Sequence, residues 1–167
     1  VALLRKIILS LLMIVMAISV SACYDRSDHM SLDSDGFMFI PNDSFGQSVS
    51  LKLEGIFVKG EDRFEGKLTI ADQTFQKVLF QEGVGSLIAY EGAMRTPLGR
   101  IRIDRSSGLF AMEISDPDLF QSMTGRTYKQ KPLVICSSAL NMDEAKLVYR
   151  KLVETEESEQ GELNKPA

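Results

Sequence analysis

Ser48-Val49-Ser50-Leu51-Lys52-Leu53-Glu54-Gly55-Ile56-Phe57-Val58, then Lys59-Gly60-Glu61-Asp62, then Arg63-Phe64-Glu65-Gly66-Lys67-Leu68-Thr69-Ile70 is the stretch on which the fold turns. Val49, Leu51 and Leu53 alternate with Ser48, Ser50, Lys52 and Glu54, the period of two that gives a strand one buried face. Past Gly55 the apolar residues fall at Ile56 and Val58. That change of parity predicts a bulge or bend at Gly55, because one extra residue sends the following side chains to the other face. Lys59 to Asp62 makes a turn, and Phe64, Leu68 and Ile70 return on one face with Arg63, Glu65, Lys67 and Thr69 on the other. The pair is a hairpin.

The same grammar repeats downstream. Ala71-Asp72-Gln73 is a turn, Phe75 to Phe80 a strand with Val78-Leu79-Phe80 buried on both faces, and Ser86 to Tyr90 another strand after Gly83 and Gly85. Pro97-Leu98-Gly99 opens a further pair, in which Ile101 and Ile103 alternate with Arg100, Arg102 and Asp104, and, after the turn 104–108, Phe110, Met112 and Ile114 alternate with Leu109, Ala111 and Glu113. Leu133-Val134-Ile135 reads as a buried strand that takes Cys136 with it. Asp116 caps a short helix begun by Pro117, and Asn141 with Glu144 forms a capping box ahead of Met142, Ala145, Val148, Tyr149 and Leu152 on one helical face. The expectation is a mainly β fold: an antiparallel meander of about seven strands forming a small barrel or sandwich, with a short helix and a C-terminal helix. The globular part spans 36–154. Residues 23–35, polar and without period, read as a flexible tether, and 155–167 as a disordered acidic tail. Asp33-Ser34-Asp35-Gly36 resembles the start of a calcium loop, but Ser44 stands where such a loop needs its glutamate.

Ahead of the tether, Arg5-Lys6 precede an apolar run from Ile7 to Ile18 and then Val20-Ser21-Ala22-Cys23. A helix over that run rises about 18 Å, short of a hydrocarbon core of about 30 Å, so residues 1–22 read as an export signal. Val20 to Cys23 resembles the lipobox of bacterial lipoproteins. The resemblance implies that Cys23 becomes the first residue of the mature protein and carries acyl chains such as palmitate. Tyr24, in place of the aspartate that resembles a retention signal, implies the outer membrane in a cell with two membranes and the outer leaflet of the cell membrane otherwise. The expected partner is thus the membrane itself, through the N-terminal lipid.

Composition narrows the remainder. Removing residues 1–22 leaves 17 basic against 23 acidic residues and moves the formal charge from -4 to -6, which argues against nucleic acid as a partner. About 145 residues suit one domain. With Cys23 acylated, Cys136 has no intramolecular partner. His29, the only histidine, lies in the predicted tether, so neither a histidine-dependent nucleophile nor a zinc site is expected, and no cofactor. Glu54 and Glu65, read as cross-strand neighbours, are a candidate acid/base pair, though no Trp offers a platform for sugars. Arg95, Arg100, Arg102 and Arg105 cluster, with Arg100 and Arg102 on one strand face. They read either as a solvated face or as a patch for an anionic envelope polymer or an acidic partner protein. Phe120 and Met123 belong either to the core or to the rim of a barrel mouth. Together these features lead to an expectation of a non-catalytic, lipid-anchored extracytoplasmic domain binding an envelope partner or small ligand. The alternatives are a small carboxylate-dependent hydrolase and a purely structural envelope component.

Overall fold

The computed structural model describes residues 27–81 and 85–163; the expected signal peptide and Cys23 lie outside the described residues. Among the described residues eight strands are formed: β1 Ser27–Phe39, β2 Gly46–Val58, β3 Arg63–Ile70, β4 Gln73–Gln81, β5 Ser86–Glu91, β6 Met94–Asp104, β7 Leu109–Ile114 and β8 Leu133–Ser137. Helix α1 covers Pro117–Thr124 and helix α2 Met142–Leu163. Each strand pairs antiparallel with the next, and β8 returns to β1 through Gly36–Ser137 to Phe39–Val134, closing a barrel. Of the two architectures the alternation allowed, the barrel is the one formed.

The first strand corrects the expected tether. Asp33 and Asp35 face outward and Asp28 is exposed at the start of the strand, while Met30 and Leu32 pack against the interior, so acids that made this segment look solvated are accommodated in a strand. All thirteen residues of β1 pair with β2. Gly55 is corrected too. The β1–β2 and β2–β3 ladders run through it without a shift, and inward parity continues from Leu53 through Gly55 to Phe57, leaving Ile56 43 % exposed. Glycine is needed there for space: it pairs with Gly66, and a Cβ would lie 2.6 Å from the Gly66 Cα and 2.7 Å from the Phe64 ring. Two glycines make room for one phenylalanine. Phe64 in turn stacks on Phe80, with centroids 4.9 Å apart and planes 16° from parallel.

The register shifts fall elsewhere, on β4 between its pairings to Gly66 and Leu68, and on β6 at Leu98. Each lets an additional apolar side chain, Phe75 or Leu98, join the interior. That interior is filled: Phe57, Phe64, Phe80 and Phe110 are all at most 2 % exposed, each such ring contributing about 1.5–3 kcal/mol by burial. Leu79 is half-buried on the outside of β4, so this strand has one buried face.

One end of the barrel holds Ser27, the β2–β3 turn and the β6–β7 turn, where Asp104 accepts from the hydroxyls and amides of Ser106 and Ser107, drawing its pKa down to about 2. The other end holds the 40–45 turn and α1. As the capping signals predict, Asp116 accepts from the Leu119 amide at 2.8 Å, Pro117 opens the helix, and Gly125 closes it with φ 67°. Gln73 Nε2 donates to Ser122 Oγ, fixing α1 over β4. Helix α2 lies on the outside of β8, β7 and β1, where Ala145 and Leu152 bury against Phe39, Val134 and Cys136. Asn141 and Glu144 form the expected capping box, the asparagine side chain accepting from the Glu144 amide and the glutamate from the Leu140 amide. The helix continues to Leu163, so most of the expected disordered tail is helical.

Gly55→Ala, which sets a methyl against the Glu65 and Gly66 backbone as well as the Phe64 ring, is expected to cost about 2–3 kcal/mol in urea unfolding; a loss below about 0.5 kcal/mol would show that the Phe64 niche is not tight.

Candidate functional site

β6 sends Arg100 and Arg102 outward on the face that α2 crosses. Arg102 donates through Nε to Glu156 at 2.6 Å and through Nη1 to Glu113 on β7, and its guanidinium lies over the Tyr149 ring at 5.7 Å. Tyr149 donates its hydroxyl to Glu113 at 2.6 Å. Arg100 adds a bond to Glu156 at 2.9 Å. Side-chain exposure is 11 % for Arg102, 19 % for Glu113 and 21 % for Glu156, so the cluster is largely withdrawn from water. Burial alone would lower the Arg102 pKa, but Glu113 and Glu156 outweigh it and hold the guanidinium above its ordinary value. Burial, then the hydrogen bond to Glu113, pushes the Tyr149 phenol up to about 12.

Within the fold Arg100 and Arg102 both pair with Glu156, from a segment read as tail, and Arg102 pairs with Glu113 as well. Arg95 lies over Tyr90 at 5.5 Å and Arg105 over Phe57 at 4.1 Å. Arg95, Arg102 and Arg105 therefore serve packing as much as charge.

The other candidates also disperse. Glu54 sits opposite Lys67, and Glu65 opposite Ile56, so the two carboxylates are not a cross-strand pair. Glu54 is bound by Lys52 at 3.1 Å and Glu65 by Lys77 at 2.7 Å; the Lys77 hydrogen bond holds the Glu65 pKa below its ordinary value. His29 is exposed on the outer face of β1. Cys136 lies fully buried in β8 beneath α2, and burial pushes its thiol up to about 12. Phe120 is 3 % exposed and part of the core, with Tyr128 edge-on to it at 5.3 Å, so its ring closes the barrel end. Among the described residues no three His, Cys, Asp or Glu converge as a metal site.

Charge does gather at a place the sequence reading passed over. Arg126, Lys129 and Lys131 put three cations within six residues between α1 and β8. With Asp43, Ile40 and Phe120 they line a cleft of about 440 Å³ between segments 40–45 and 125–132. The signal was present as Arg126-Thr127-Tyr128-Lys129-Gln130-Lys131 in a chain of net charge -4, but without the 40–45 turn opposite it the run had no concavity.

Arg102→Ala leaves the partly buried Glu113 without its cation and Glu156 with Arg100 alone, and is expected to cost about 2–4 kcal/mol in urea unfolding, against less than about 0.5 kcal/mol for Arg95→Ala. Equal losses would mean that α2 is not held by this cluster. In the Cys23→Ala chain, Cys136 is expected to resist a thiol reagent at about pH 8 until denaturant is added; labelling of the folded chain would place the thiol outside the helix. No family model matches this chain, and no curated protein and no solved structure matches it.

Proposed function

We propose that this chain is an exported lipoprotein, acylated on Cys23, whose barrel binds an envelope partner or small ligand without catalysing a reaction. The observation that carries the proposal is the sequence Arg5-Lys6, apolar 7–18 and Val20-Ser21-Ala22-Cys23, followed almost at once by a barrel that begins at Ser27. Three residues lie between the cysteine and Ser27, the first described residue of β1. Four peptide steps of at most about 3.6 Å keep the two Cα atoms within about 14 Å. Acyl chains there would hold the end with Ser27, the β2–β3 turn and the β6–β7 turn next to the bilayer. Several acyl chains, each methylene adding about 0.8 kcal/mol, make such attachment durable where one does not. By its place in the barrel, the cleft of Arg126, Lys129 and Lys131 is at the far end.

A binding role is supported by what the reactive side chains are doing. Cys136 is held as a thiol under a helix, His29 is exposed on the outer face of β1, and Glu54 and Glu65 are each tied to a different lysine. Stabilised ion pairs and an apolar interior suit recognition at the surface better than acid/base work.

Metabolic labelling with palmitate is the direct test. The parent chain and Cys136→Ala are expected to take up label and Cys23→Ala to take up none; a Cys23→Ala chain as radioactive as the parent would end the lipoprotein assignment.

A further inference from the structure

We propose that the cleft between segments 40–45 and 125–132 binds small organic anions, a phosphate or carboxylate joined to an apolar group. The assignment rests on the binding role above but not on acylation of Cys23. Its volume, about 440 Å³, lies inside the range of roughly 300–1,000 Å³ usual for small-molecule sites.

The lining divides by chemistry. Ile40 and Phe120, 5 % and 3 % exposed, belong to the barrel core and form a floor that cannot fold away. Arg126, Lys129 and Lys131 surround it, with Asp43 the only acid among the lining residues. Arg126 is held in place twice: Nη1 donates to Asp43 Oδ1 at 2.9 Å, and the guanidinium lies over Phe45 at 5.2 Å. Asp43 is itself fixed by the Phe45 amide at 2.8 Å. A guanidinium so oriented offers its remaining N–H groups as a fork suited to a planar carboxylate or two phosphate oxygens.

The lysines differ from the arginine. Neither Lys129 nor Lys131 makes an ion pair among the described residues, although the chain carries 23 acids. Lys131 nevertheless acts on Asp43, whose pKa is lowered first by the Phe45 amide, then by Arg126, and in part by this lysine. Three cations against one carboxylate leave the cleft positive in an acidic protein. That charge favours an anion, and the apolar floor favours one with a hydrophobic body over a bare ion. A mononucleotide-sized or smaller ligand fits this description; a long polymer is not required by it.

The test is calorimetric titration of the full chain, in neutral detergent, with phenyl phosphate, inorganic phosphate and phenol. Phenyl phosphate is expected to bind about tenfold more tightly than inorganic phosphate, and phenol not to bind. The double variant Lys129→Gln/Lys131→Gln is expected to weaken phenyl phosphate about tenfold with its urea midpoint unchanged. Should that variant misfold, salt replaces it: raising sodium chloride from about 50 to about 500 mM is expected to weaken binding to the parent severalfold. Equal affinity of the folded variant, insensitivity to salt, phenol binding as tightly as phenyl phosphate, or no binding up to about 10 mM would each overturn the site. So would a chain that ignored phenyl phosphate while Lys129 and Lys131 governed a preference for phosphatidylglycerol over phosphatidylcholine vesicles, since the ligand would then be a lipid headgroup. Cys23→Ala is expected to bind phenyl phosphate like the parent, so failure of the cleft and failure of the lipoprotein assignment are read separately.

Discussion

Closure of the barrel depends on its shortest strand. β8 has five residues, yet it must satisfy β7 on one side and β1 on the other, and it does so while buried on both faces. A strand in that position needs apolar residues at every place. Leu133 and Ile135 supply the interior, Val134 and Cys136 the face under α2, and Ser137 the one buried hydroxyl, which accepts from the Phe110 amide at 2.8 Å. Without β8 the sheet would have two long edges, and exposed edges invite pairing with other chains. The outer apolar face of β8 in turn requires α2. Barrel and helix are thus one cooperative unit.

What keeps α2 seated is divided between grease and charge. Ala145 and Leu152 bury at its first half, and the second half is drawn down by Arg102 and Arg100 through Glu156. Tyr149 links the two, edge-on to Phe39 at 6.4 Å and hydrogen-bonded to Glu113. A single arginine therefore joins β6, β7 and α2. Its two acids are the physical reason a buried guanidinium is tolerated there, because a charge taken out of water must find its compensation within the fold.

Much of this was legible in the sequence, and the exceptions have physical causes. Local signals were read correctly: the alternation of β2, β3, β6 and β7, the caps of both helices, the burial of Cys136. Each rests on residues within a few positions of one another. What escaped depended on distant partners. Nothing near Glu156 announces Arg102, 54 residues away. β1 hid because its outward face carries Asp33 and Asp35, its exposed start carries Asp28, and the inward Met30, Leu32 and Gly36 are too sparse to mark a period. The apparent parity change at Gly55 misled for a different reason: Ile56 is an exposed apolar residue on the outside of the barrel, and exposed isoleucines are ordinary. The cationic cleft was visible only as half of itself, since its opposite wall comes from a turn more than eighty positions earlier.

The thirteen-residue pairing of β1 with β2 also has a mechanical meaning. A pull applied ahead of Ser27 acts along the axis of β1, so the rungs of the longest ladder share the strain and slide together. The same pull at the far terminus would lift α2 turn by turn. The β1–β2 ladder is therefore the part of the fold that resists shear, and α2 the part that a peeling force would find weak.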